Sequence, residues 1–499
     1  MREEAFLGID VGTTSTKTAL FHPSGKSIAS SSSRYDVINP APSHYEQNPD
    51  EWWNAVRKGI SILREKTSFT NIEIISIGVC GQTPTLVFVD DKGKVIRPAI
   101  IWKDSRAQKE ASFLKETVGE KLMEELIGTK LPIEASWSPA KLLWMKKNEP
   151  DTLTKTHKIL QPKDYINYKL SGVLASDYWC SKGLVHVKMM KPSDEYYKIL
   201  GIESNIAPDV FAPSNIVGCL SKEASKELGL REGIPIVAGW ADSFCGILGV
   251  GAFARSGRAF DISGTSEIVG ISVEPFTEIP PGLILVSTEG FQNVVFGPTQ
   301  SGGGTLDWFT DRFIYDKELS LEEKYMFVDK AVRSSVVNTD SMIFLPFIEG
   351  ERAPIWNPES RGLFFGVAKS DKLSDFAHSI MSGVAFNIRS IFELLENVWG
   401  KEIEEFSVSG GPSKSPVWNK IKCDATGKKI RILENVESSV FGAAMLGALG
   451  VGYFNNVTDM STKMIRIKAM VEPDMERHLI YEELYQKFKR IYPLIRNEF

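Results

Sequence analysis

The sequence predicts an α/β protein made of two related domains, and three observations carry that prediction. At 499 residues the chain exceeds what one hydrophobic core organises. Apolar runs of strand length alternate with stretches of helical periodicity. A string near the N-terminus, FLGIDVGTTSTKTALF at 6–21, is echoed by FDISGTSEIVGISV at 260–273. The echo keeps the order apolar, Asp, apolar, Gly, Thr, hydroxyl, apolar, with one residue more between Asp261 and Gly264 than between Asp10 and Gly12.

The elements follow in order. Residues 5–11 and 17–21 read as strands joined through the Gly and Thr cluster, and the turn HPSGK leads into a third strand over 27–37. NPDEWWNAVRKGISIL opens with an Asn cap, a proline and two acids, which predicts a helix start. IEIISIGVCGQ is a continuous apolar run, suited to a strand buried on both faces. LVFVDDKGKVIRPAI reads as a hairpin around Asp91, Lys92 and Gly93.

The second half repeats the plan, with strand-like LILVSTEG and QNVVFGPTQ and then a helix starting near Thr305. A break near 250–258 gives domains of 1–252 and 253–455, with 456–499 as a helical extension packed on the second domain. VFGAAMLGALGVG at 440–452 reads as a buried helix. Two copies of one strand-hairpin domain place two hydroxyl-rich turns across a cleft from each other, an arrangement that grips a nucleotide from both sides.

Composition narrows the function. A content of 42% hydrophobic and 24% charged residues is that of an ordinary globular protein. The net charge of −5 comes without a long basic run, which argues against a nucleic-acid partner. No basic-then-apolar leader opens the chain, and no apolar stretch approaches the roughly 20 residues of a bilayer span, so no membrane is expected. The five cysteines form no CxxC and the six histidines no HxxxH pair. A reducing cytoplasm and no structural metal site are the expectation.

Several positions suggest chemistry. In IDVGTTSTK, Asp10 ends a strand where a carboxylate can meet a hydrated divalent cation. Gly12 lets the backbone approach an anion, Thr13 and Thr14 offer donors, and Lys17 can neutralise a terminal phosphate. A Walker loop is excluded, because Lys17 lies in a strand and opens no helix. Gly302, Gly303 and Gly304 precede a helix N-terminus that favours anions. VSGGPSKSPVWNKI passes from a strand through two glycines into a helix, with Ser413 or Ser415 as adjacent donors. In VAGWADSFCGILG, Asp242 follows an apolar strand and precedes a small-residue helix, a place for a partly desolvated base as well as for a helix cap.

Taken together, the strings GIDVGTTSTK, RPAIIWKDSRA, SWSPAKLLWMKKN, LQPKDYINYKLSG with ASD, AGWADS, SGTSE, LPFIEGERAPIWNPESRGLFFGV and VSGGPSKSPVWNKIKCDATG resemble the FGGY carbohydrate kinases, most of all their xylulokinase branch. The resemblance covers about residues 5–455. It implies two ribonuclease H-like domains of actin and hexokinase type with an ATP cleft between them. It implies that Asp10 places Mg²⁺ and that Gly12, Thr13, Thr14 and Lys17 approach the phosphates. Gly264 and Thr265 would hold them from the other domain, and Gly303, Asp307, Gly411 and Ser415 would line the adenosine end. Asp242 would be the catalytic base.

The sugar site departs from the branch. Where GQMHG is usual this chain has GQTPT, which puts Thr83 and Pro84 at sugar-touching positions. Where GGGDN is usual it has Trp240, Ala241, Asp242 and Ser243. Trp102 and Trp137 are further candidates to face the sugar, and Ser382 replaces a usual acid without an evident consequence. D-xylulose is the first substrate expected, with other ketoses, gluconate and polyols as alternatives, and a homodimer is compatible with the sequence. A non-catalytic sensor of the same fold is the rival from another class; it would be expected to carry a DNA-binding helix pair or a basic patch, and neither is in the sequence.

Overall fold

A computed structural model of the chain describes residues 2–67, 71–274, 279–314 and 319–498. It divides into two compact units, Met1–Gly249 with Ser439–Met464, and Val250–Ser438 with Ile465–Phe499.

In the first unit, β1 (Glu3–Val11), β2 (Ser15–Phe21) and β3 (Ser27–Arg34) form an antiparallel meander. α1 (Pro49–Lys66) follows. The Asn48 side chain accepts from the Asp50 N–H, and Asp50 and Glu51 lie at the positive end of the helix. Buried Trp52, Val56, Ile60 and Leu63 recur at helical spacing and enter the core of this unit. β4 (Ile72–Gly81) runs parallel to β1 and is buried throughout from Ser76 to Gly81, which is why its sequence reads as an apolar run. α2 (Pro162–Ser171), β5 (Ile216–Cys219), β6 (Pro235–Val237), β7 (Trp240–Ala241) and α3 (Asp242–Gly249) complete the set used below. The sheet order is β5-β6-β4-β1-β2-β3, with β7 beside β4.

The second unit carries β8 (Ala259–Ser263), β9 (Glu267–Val273), β10 (Ile284–Val286), β11 (Asn293–Pro298) and α4 (Gly303–Phe313). They are followed by α5 (Leu373–Trp399), β12 (Glu405–Gly410), α6 (Pro416–Thr426), β13 (Lys429–Leu433), β14 (Ile467–Val471) and α7 (Met475–Ile495). Its sheet order is β10-β11-β9-β8-β12-β13-β14. Orientation matches strand for strand. In each unit the first strand pairs antiparallel with its hairpin partner and parallel with a crossover strand; the next strand outward is parallel and the last antiparallel. The echo at 260–273 is therefore the sequence trace of a repeated topology.

The structure draws two boundaries differently from the sequence reading, which put 440–452 in the second domain and made 456–499 one extension. The helix Ser438–Gly450 packs on the first unit's sheet: a Cβ on Gly8 would lie 2.1 Å from the Val440 carbonyl oxygen, and one on Gly78 1.8 Å from that of Ala443. Such a helix is apolar and small-sided all round, so its sequence has no polar face to say which sheet it serves. The chain re-enters the second unit at Ile465. There α7 buries Tyr481, Leu484, Tyr485, Phe488 and Ile491, the apolar stripe expected of it. Among the described residues no helix is long and apolar enough to cross a membrane.

Candidate active site

In open α/β sheets, ligands bind beyond the carboxyl ends of the parallel strands, and the first unit gathers its candidate groups there. Asp10 lies opposite Lys17 across the β1–β2 pairing and opposite Cys80 across β1–β4. Cys80 in turn pairs with Trp240 of β7, which leads into Asp242, the first residue of α3. The charges of Asp10 and Asp242 both act on Tyr35 and on Cys80, and the charge of Lys17 acts on Asp242. Burial pushes the Asp242 carboxyl above the ordinary aspartate value. The Ser243 N–H, 2.6 Å from Oδ1, and Lys17 pull it back.

The β1–β2 turn is held from behind by side chains. The Tyr35 hydroxyl donates to the Gly12 carbonyl at 2.6 Å, and Gln47 Nε2 to that of Thr13 at 2.6 Å. Gln82 Nε2 donates to Gln47 Oε1 at 2.7 Å. The Thr13 hydroxyl, expected at a phosphate, accepts from the Trp102 indole at 2.8 Å. Thr14 is exposed, while Gly12 and Lys17 are partly so. Trp102, expected at the sugar, is here a brace for the turn.

On the GQTPT stretch, the Thr83 hydroxyl donates to Gln161 Oε1 at 3.2 Å, and Pro84 is buried. Lys141, fully buried, spans this stretch and the Trp102 loop by donating to the carbonyls of Pro84 at 3.2 Å and Ile101 at 2.9 Å. Burial brings its ammonium down to about 7. Trp240 is fully buried and meets Phe244 edge-on at 5.2 Å, so it is a core residue.

The approach to Asp242 is pinned by a buried ion cluster. Lys163 Nζ lies 2.5 Å from Asp164 and 2.9 Å from Asp177, and it donates to the Ala238 carbonyl at 3.0 Å. Asn167 Nδ2 donates to the carbonyls of Val237 and Ala238 at 3.1 and 3.0 Å. Gly239 follows at φ +76°, where a Cβ would lie 1.8 Å from the Val79 carbonyl oxygen.

In the second unit the β8–β9 turn leaves Gly264 and Thr265 exposed. Their carbonyls accept from the N–H groups of Gly303 and Gly304, each at 2.9 Å. A Cβ on Gly302, Gly303 or Gly304 would fall within 2.7 Å of that turn, so the three glycines are there for a backbone clamp. The N–H of Gly303, expected at the adenosine, is spent on it. Behind the clamp, buried Glu351 accepts from Gln300 N–H, from the Ser301 hydroxyl and from Asn387 Nδ2 at 3.1 Å, and burial raises its carboxyl to about 7. Gly411 is exposed. The Ser415 hydroxyl caps α6 by accepting from the Trp418 N–H at 3.0 Å and donates to Asp329 at 2.8 Å. Asp307 accepts from the Tyr325 hydroxyl.

Residues 5–249 match the model of the N-terminal domain of the FGGY family of carbohydrate kinases, and residues 261–451 match that of its C-terminal domain. The chain belongs to the FGGY family of carbohydrate kinases. A curated relative, the xylulose kinase of Bacillus subtilis (strain 168), is 29% identical over 493 residues, 97% of this chain and 96% of that one. The gluconokinase of the same strain is 27% identical over 503 residues, 99% of this chain and 96% of that one. The ligand-bound xylulose kinase from Lactobacillus acidophilus has a TM-score of 0.85 at 23% identity, over 99% of this chain and 98% of that one, a likeness of fold.

As an FGGY kinase the chain is a phosphotransferase that acts on a carbohydrate. Its first unit brings together Asp10, Gly12, Thr13, Lys17, Trp102 and Asp242; Gly264, Thr265 and Gly303 cluster in the second. Sequence reasoning assigned no role to Gln47, Gln82, Lys141, Lys163 or Glu351. The one signal was that LQPKDY, SWSPAK and GERAP recurred among the matching strings.

Proposed function

We propose that this chain transfers the γ-phosphoryl group of MgATP to a hydroxyl of a five- or six-carbon sugar, with D-xylulose the first acceptor to test. The observation that carries this is the placement of Asp242, raised by burial, just past the carboxyl end of β7, in the sheet whose β1 carries Asp10 and whose β2 carries Lys17, the cation that acts on it. A carboxylate so raised binds a proton better than free aspartate does. It takes the proton of the acceptor hydroxyl as that oxygen bonds to the γ-phosphorus. The bond to the β–γ bridging oxygen breaks, and ADP leaves.

Asp10 fits a magnesium ion: it is a hard oxygen donor at a strand end, 8% exposed, and Mg²⁺ in such sites takes one or two carboxylates with phosphate oxygens and water completing its shell. Bound there, the ion would neutralise phosphate charge. Lys17 and the N–H groups of Thr13 and Thr14 would face the same anion. In this reading the first unit takes the acceptor and the second takes the nucleotide. The five free cysteines, four of them buried, accord with a reducing cytoplasm.

The test is ADP release with purified protein, ATP and Mg²⁺ against ketoses, aldonates and polyols, beside a control without acceptor. One acceptor should raise turnover far above the control, and Asp242→Ala should lower its kcat at least about a hundredfold while ATP still binds. Near-normal turnover in that variant would remove Asp242 from the mechanism.

A further inference from the structure

A cation lies over a ring of the helix that Asp242 opens and has no part in the mechanism above. Lys182 lies in the turn after the strand Ala175–Asp177. Its Nζ is 4.6 Å from the ring centroid of Trp137 and 5.8 Å from those of Trp179 and Phe244. Trp179 and Phe244 meet edge-on at 5.9 Å. The three rings make an apolar cage around the ammonium. Among the described residues nothing accepts a hydrogen bond from it and no carboxylate pairs with it. Asp177, whose charge reaches it, is committed elsewhere: Oδ2 to Lys163 at 2.9 Å, Oδ1 to the N–H groups of Trp179 and Cys180 at 2.9 and 3.0 Å.

The three most deeply buried lysines differ in kind. Lys141 spends its donors on two carbonyls, and Lys163 and Lys422 spend theirs on carboxylates. Ring faces stabilise an ammonium by only about 0.5–2 kcal/mol and satisfy none of its three N–H donors. Burial lowers the Lys182 ammonium to about 8, so it remains largely charged at neutral pH. A half-buried charge with unspent donors is a receptor for an anion.

The location says whose anion it is. Phe244, one wall of the cage, stands on the first turn of α3, the helix that Asp242 opens. Trp137, another wall, stands immediately before the helix Ser138–Asn148, whose Lys141 holds the Pro84 and Ile101 carbonyls of the acceptor side. No second cation lies over these rings among the described residues, so the match is to one negative charge, less than a phosphate dianion brings.

We propose that Lys182 is the specificity-determining residue of the acceptor site, and that it receives the carboxylate of a sugar acid whose far hydroxyl is presented to Asp242. The proposal rests on the kinase reading for the hydroxyl end. It moves a polyhydroxy monocarboxylate ahead of D-xylulose as the substrate class.

D-gluconate and D-glucitol have the same number of carbons and differ at C1, carboxylate against alcohol, and they are the probes. Calorimetric binding and ADP release are measured for both with the wild-type chain, Lys182→Met and Lys182→Arg. The wild type should favour gluconate by roughly 10- to 150-fold, the range for a hydrogen bond to a charged group. Lys182→Met should bring the ratio near one, and Lys182→Arg should restore part of it. A merely structural lysine would weaken both ligands alike and leave the ratio standing, which overturns the proposal, as does a wild-type ratio near one. Should the Met variant not fold, the wild-type ratio decides alone. Lys182-dependent gluconate binding without turnover would sink the kinase reading and keep this one; turnover with a ratio indifferent to Lys182 would do the reverse.

Discussion

The two β-hairpins that begin the two units share a topology and differ in what their aspartates do. Asp10 lies opposite Lys17, and its charge is felt together with that of Asp242. Asp261, at the equivalent place, lies opposite Val269, is fully buried and takes its cation from α6: Lys422 Nζ is 2.6 Å from Asp261, 2.7 Å from the Ser263 hydroxyl and 3.4 Å from Glu267. In the proposed mechanism the first copy keeps its carboxylate for chemistry. The second turns it into a cross-link between β8 and α6. Repetition thus preserves the backbone turn and frees the side chains for separate duties.

Exchanging the two aspartates for asparagine tests that division most severely. Asp10→Asn should lower kcat roughly 10²-fold or more, the loss found when one electrostatic partner of a transferring group is removed. Asp261→Asn should leave kcat within a few-fold and cost about 3 kcal/mol of stability, the low end for a broken buried pair because Glu267 still faces Lys422. Urea midpoints and steady-state rates separate the two. Equal losses of kcat with unmoved midpoints would abolish the distinction.

The scaffolds behind the turns also differ. Side chains of Tyr35, Gln47, Gln82 and Trp102 brace the first, whereas backbone N–H groups of glycines brace the second. Gly303→Ala would set a Cβ 2.4 Å from the Gly264 carbonyl oxygen and 2.9 Å from Pro412. Overpacking of that kind costs about 1–3 kcal/mol, so the KM for ATP should rise roughly 5- to 150-fold. Gly12→Ala meets only the Ser15 carbonyl oxygen at 3.1 Å and should be milder. A KM in Gly303→Ala no higher than in Gly12→Ala would mean that the clamp does not set the turn.

Much of this was legible in the sequence. The strand–turn–strand plan and its second copy, the helix capped by Asn48, and the place of Asp242 between a strand and a small-residue helix all follow from local periodicity and turn chemistry. Buried charge was not legible. Nothing in the sequence marks Lys141, Lys163, Lys422 or Glu351 as buried, because ionisable side chains are seldom fully buried unless paired, and most of their partners lie far along the chain. The hydroxyls of Thr13 and Ser415 read as ligand donors for the complementary reason: a sequence displays a donor without displaying that Trp102 or Asp329 has engaged it.

The smallest expected effect concerns the residue opposite each aspartate. Asp242 must be ionised to accept a proton, so kcat falls as pH drops through its folded-state pKa, which burial has raised. The charge of Lys17 lowers that pKa. Removing it makes protonation of Asp242 easier, and the acid limb moves to higher pH. Lys17→Met should therefore shift the acid limb of kcat to higher pH. Lys17→Arg should return it. Profiles taken at saturating ATP and acceptor separate this shift from weaker phosphate binding, which lowers the plateau or raises KM without moving the limb. An unmoved limb would mean that the first hairpin's cation serves the phosphate alone.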